Sequence, residues 1–160
     1  MDFPQAYHLP AEHPLVYHLE EIVFKKIIDA AETEIIGQFD VWLEQMEAAI
    51  PDGKVKKYFD AMEKLHMKFF EAAHNAVMLD LYESLMKRLA PFRYMSLSFP
   101  NSLQHSLREY KDIVAGLKAK DYASVVNRWR QKQKRALDAL EKVIVRQEQQ
   151  PGPLKPNLFK

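Results

Sequence analysis

The chain has 160 residues, 48% of them apolar and 28% charged, which suits one globular domain with a real core and leaves no room for two. Its 23 basic and 22 acidic residues almost cancel, so the chain as a whole lacks the charge of a nucleic-acid binder. It has no cysteine, which rules out disulfides and thiolate metal sites and fits a reducing, cytoplasmic setting.

The opening residues MDFPQAYHLP lack the charged start and apolar run of a signal peptide, and residues 1–12 read as a segment leading into the domain. No apolar run approaches the roughly 20 residues that span a bilayer. Only four glycines occur, and the apolar residues recur at helical rather than strand spacing. The first helix is expected from Pro14, with a stripe of Leu15, Leu19, Ile22, Val23, Ile27 and Ala30 and the stem of Lys26. A second stretch carries Ile35, Ile36, Phe39, Trp42, Leu43 and Met46, with a possible break at Thr33 or Gly37. Pro51-Asp52-Gly53 reads as a turn, followed by a helix over 55–73 with Met62, Leu65, His66, Phe69 and Phe70 inward. Asn75 is a cap for a helix from Val77 to about Leu89, which Pro91 kinks or ends, and Ser96–Pro100 reads as loop. Asn101 or Ser102 caps a helix through Leu117, and Asp121 caps the longest one, through Val125, Trp129 and Leu140. Three prolines make 149–160 an extended tail. The domain proper is therefore 13–148, an all-α antiparallel bundle of about six helices.

Bundles build sites from inward side chains of facing helices, so polar residues on apolar faces are the candidates. His66 lies on such a face between Met62 and Phe70, where a satisfied core histidine is the plain alternative to a pocket residue. Lys132 follows Trp129 by three residues, at the edge of the last helix's apolar stripe, and either snorkels outward or meets an anion. Arg93, just past Pro91, can reach the pocket mouth or sit in an exposed loop. The basic run Arg128–Arg135 interleaves one tryptophan, but its charges fall mostly on a solvated face. His105 and Glu109, one turn apart, lack enough partners for a metal site. No phosphate loop, nucleophile elbow or zinc-protease motif is present, so an enzyme is not expected.

The stretch Leu65-His66-Met67-Lys68-Phe69-Phe70-Glu71-Ala72-Ala73-His74-Asn75 resembles the signature of the FCD effector domain of GntR-type bacterial transcription regulators. Glu109–Leu117 with Lys120-Asp121, and Leu43–Ala49 upstream, are similar to two further pieces of that domain in the same order. The likeness covers roughly residues 15 to 145. It implies a homodimeric domain that binds a small organic acid in mid-bundle and signals to a winged-helix DNA-binding domain not among these residues. The relatives' metal ligands fall here on Met62, His66, Tyr110 and Lys132, of which His66 alone is a good ligand, so no metal and no other cofactor is expected. The resemblance instead suggests a metal-free anion pocket of His66, Tyr110, Lys132, Met62, Arg93 and Trp129. The alternative is a helical dimerisation or interaction module that keeps the fold and no longer senses; an enclosed polar cavity favours the first, a solid centre the second.

Overall fold

The apolar periodicity is realised as helices throughout the residues that the computed structural model describes, 13–30 and 33–149, with side chains described for 15–30 and 33–142. They are α1 (His13–Ala30), α2 (Thr33–Gly37), α3 (Phe39–Ala49), α4 (Val55–Ala72), α5 (Ala76–Leu97), α6 (Ser102–Lys118) and α7 (Tyr122–Gln149). No strand occurs among the described residues, and α2 is a five-residue turn that leads into α3. The expectation of about six helices thus corresponds to six long ones and one short one. The expected segment 1–12 and nearly all of the tail lie outside the described residues; Gln149 still belongs to α7.

Short connections make neighbours of α3 and α4, of α4 and α5, and of α6 and α7, while α1 packs against α4, α5, α6 and α7. Its inward stripe is Val16, Leu19, Val23, Phe24 and Ile27, all at most 8% exposed. This corrects the expected register, because Leu15 and Ile22 are 46% and 49% exposed. Rotating the stripe by about one residue replaces them with Val16 and Phe24, and places Glu20 inside. Ring packing ties the layers together: Phe24 meets Phe69 and Trp129, each at 5.3 Å between centroids, and Phe39 meets Phe69 at 4.9 Å.

Helix ends follow the chemistry of their residues. Asn75 caps α5 by accepting from the Met78 N–H at 3.1 Å, and Asp121 accepts from Ser124 N–H at 3.1 Å at the start of α7. Gly53, at φ +60°, closes α3, with Gly53 N–H donating to the Ile50 carbonyl and Lys54 N–H to that of Ala49. Lys120 does the same for α6 at φ +56°, Lys120 N–H donating to Leu117 and Asp121 N–H to Gly116.

Two expectations are corrected here. Pro91 does not end α5, which continues to Leu97, so Ser96 and Leu97 are helical rather than loop. One missing N–H is outweighed by buried Phe92, Tyr94, Met95 and Leu97 beyond it. Asn101 is not a side-chain cap: it adopts the left-handed conformation at φ +61° that asparagine tolerates well, and α6 begins at Ser102.

Candidate functional site

Because α1 runs through the middle of the bundle, Glu20 enters the core fully buried. Three elements meet it there. Arg93 of α5 donates from Nη2 to both carboxylate oxygens, at 3.2 and 3.3 Å. From α4, His66 Nδ1 approaches Oε1 at 2.5 Å, although its N–H direction misses hydrogen-bond alignment. On the far side of the ring, His66 Nε2 and the Tyr110 hydroxyl of α6 share a hydrogen bond of 2.5 Å. Burial alone would raise the Glu20 carboxyl, but the charge of Arg93 and the neighbouring His66 hold it below its ordinary value.

Arg93 has two further partners: Nη1 donates to the Tyr82 hydroxyl at 3.1 Å and lies 3.5 Å from Glu63 Oε1. Its side chain is only 10% exposed, so it belongs to the site's interior rather than to its mouth. The His66 ring stacks on Tyr82, nearly parallel at 6.0 Å, and meets Trp129 at 5.8 Å. Burial raises the Tyr82 and Tyr110 phenols well above their ordinary values, so both remain protonated.

Lys132 of α7 turns inward and is 7% exposed, which decides the question left open by its place on the helix. Its ammonium lies 4.6 Å from the centre of the Tyr110 ring and 5.9 Å from that of Trp129. Among the described residues no carboxylate pairs with it; Glu109, the carboxylate whose charge acts on it most, is engaged by Arg135 at 2.9 and 2.7 Å. Burial pushes the Lys132 ammonium down to about 8. Trp129, fully buried beside it, has an indole N–H with no acceptor among the described residues.

Between these groups lies a cavity of about 30 Å³, lined by Tyr17, Met62, Arg93, Ser96, Tyr110 and Lys132, with Leu97, Gln133, Ala136 and Leu140 closing it. That is the room of one water molecule or so. The larger hollows are open surface grooves, such as one of about 470 Å³ along α3 and α4 past Trp42 and Lys57, and contain none of the buried charges.

All six expected site residues therefore converge, with Met62, Arg93, Tyr110 and Lys132 on the cavity and His66 and Trp129 behind it. Sequence reasoning missed Glu20, Tyr82, Glu63 and Tyr17. A carboxylate on an apolar stripe was the available signal for Glu20, and the misplaced register of α1 hid it. The basic run is divided: Lys132 turns inward, while Arg128 pairs with Asp112, Arg130 with Glu21 and Arg135 with Glu109.

The donor set does not fit a metal. The Met62 thioether, the protonated Tyr110 phenol and the Lys132 ammonium are poor ligands, and His66 Nε2 is already bonded to Tyr110. No group of three or more metal-ligating side chains occurs among the described residues.

Fold and site together define a class: a helical bundle whose polar groups are gathered at its centre, where facing helices of such bundles carry sites. The chain belongs to the FCD domain family, whose model matches residues 15–135. Among solved structures it is similar to E. coli McbR/YncC, with a TM-score of 0.72 at 16% identity over 81% of this chain. That likeness shows the fold, and the chain spans 66% of the McbR/YncC chain. No curated protein matches. FCD domains are, in general, the effector-binding domains of GntR-type regulators. No helix among the described residues is long and apolar enough to cross a membrane.

Proposed function

We propose that the chain is the ligand-sensing domain of a GntR-type transcription regulator and takes a small anionic metabolite beside Lys132 without a metal. The observation that carries this reading is the buried Lys132 ammonium, which faces a cavity and has no carboxylate partner among the described residues. A buried cation without a counter-charge is costly, and an anion in the cavity removes that cost. Tyr17 and Tyr110 line the same space, and Arg93 forms one wall. Binding would be passed to a winged-helix DNA-binding domain outside these 160 residues, most simply by shifting a dimer between two states of different affinity.

The test is calorimetry of wild type and Lys132→Met against small organic acids. Loss of the charged partner is expected to weaken binding by about 2–5 kcal/mol. An anion also favours the protonated lysine, so affinity is expected to hold below about pH 8 and to fall above it. Equal affinity of the two proteins would end this reading. One observation favours the second reading, a dimerisation module without sensing: as it stands, the centre is nearly filled, with space of about 30 Å³. That reading expects no organic acid to bind either protein.

A further inference from the structure

The centre of the bundle holds two buried cations in unequal circumstances. Arg93 is fully engaged, by both oxygens of Glu20, by the Tyr82 hydroxyl and, at 3.5 Å, by Glu63. Among the described residues, the ammonium of Lys132 meets only aromatic rings. The Glu20 carboxylate also sits against the imidazole of His66, and it is held as a bound acid would be: an arginine on both oxygens, a ring nitrogen on one, and no contact with solvent.

We infer that Glu20 is a built-in occupant of the carboxylate position between Arg93 and His66, so that the pocket takes only a singly charged anion, a small monocarboxylate, at Lys132. This rests on the reading that Lys132 receives an anion, and it adds the charge that anion carries. A dicarboxylate would bring two negative charges to a site with one unmatched cation, because Arg93, which lines the cavity, is already paired with Glu20. The buried like charge costs more than any remaining contact returns. Removing Glu20 frees Arg93 and inverts the preference.

Acetate and malonate serve as probes, with wild type, Glu20→Gln, Glu20→Ala, Lys132→Met and the Glu20→Ala/Lys132→Met double variant of the full chain. Affinity is read by calorimetry and the melting temperature by a thermal shift, at fixed ionic strength. Wild type is expected to favour acetate over malonate at least tenfold, Glu20→Ala to favour malonate at least tenfold, and Glu20→Gln, which removes the charge and opens no space, to lie between them. Glu20→Ala leaves a vacancy shaped for a carboxylate, so acetate is expected to raise its melting temperature more than it raises that of wild type. The double variant is expected to keep that rescue, because it depends on Arg93 and His66 and not on Lys132. The same rescue and the same preference in wild type and Glu20 variants overturn the inference. So does failure of both Glu20 variants to fold even in acetate, which makes the carboxylate a fixed part of the core. Unchanged acetate affinity in Lys132→Met, with the rescue intact, refutes the reading of Lys132 and the selectivity placed there, and leaves Glu20 as the occupant of the position between Arg93 and His66.

Discussion

In the unfolded chain Lys132 is hydrated and keeps its proton to about pH 10.5, whereas in the fold burial lets it go near pH 8. Between those values the unfolded chain binds more protons, so stability rises with pH across that window. Lys132→Met is expected to abolish the rise and to stabilise the ligand-free protein at pH 7 by about 1–3 kcal/mol, read as melting temperature at pH 7 and pH 9.5. A melting curve that drops with the substitution at pH 7 would show the ammonium to be stabilising where it sits. Glu20 gives a slope of the same sign in the acid range, but from a charged form that stabilises: its carboxyl is depressed in the fold, so its contribution is present above the ordinary carboxylate value and is lost as pH falls through the folded value. Glu20→Gln should therefore shallow the acid limb of the stability curve. The residues of the site were legible in part. His66, Tyr110 and Lys132 could be read because one family pattern placed them together. Glu20 could not, since a one-residue rotation of α1 decides whether it faces water or Arg93, and Leu15 and Ile22 offer an equally apolar stripe.

Where helices meet, small side chains and backbone signs set the geometry. A Cβ on Gly116 would come within 2.6 Å of Val125 Cγ2, so α6 and α7 touch at their junction through a missing side chain. Alanine gains about 1 kcal/mol of helix propensity over glycine there. The clash outweighs it, because Val125 is buried and branched, and overpacking of this kind costs about 1–3 kcal/mol. Gly116→Ala is expected to lower stability in urea titration; a gain would mean that the two helices part easily. Lys120 closes the same helix in the left-handed region, which costs a non-glycine residue about 1 kcal/mol. Lys120→Gly should recover part of it and raise the melting temperature. The helices themselves could be read from the sequence because their apolar residues recur at regular spacing and because Asn75 and Asp121 announce a start. The span past Pro91 could not. Proline's local penalty is visible in a sequence, while the buried Phe92, Met95 and Leu97 that outweigh it count only once α7 is in place.

At the scale of the molecule, three of the ion pairs that cross between helices, Glu21 with Arg130, Asp40 with Lys118 and Glu47 with Lys111, have at least one exposed partner and contribute at most about 1 kcal/mol each. Cohesion comes from the aromatic and aliphatic core around α1, and the polar centre sits within it. Phe92, Met95 and Leu140 form a small apolar cluster of their own, next to the cavity and apart from the main core. Native mass spectrometry of the purified protein is expected to find it without a stoichiometric metal; one zinc, nickel or manganese per chain would contradict the donor chemistry of the site. The run of α5 through Pro91 has a kinetic meaning as well. The rung that would tie residue 91 back to the preceding turn is absent, and the half-helix beyond it carries Arg93, Ser96 and Leu97, one side of the cavity wall. On the proposed reading, an occupant larger than a water is expected to enter by movement of that half-helix on its weakened joint. Stopped-flow binding of small carboxylates is then expected to show dissociation rates that vary with affinity more than association rates do; association rates that track affinity would count against a gating wall.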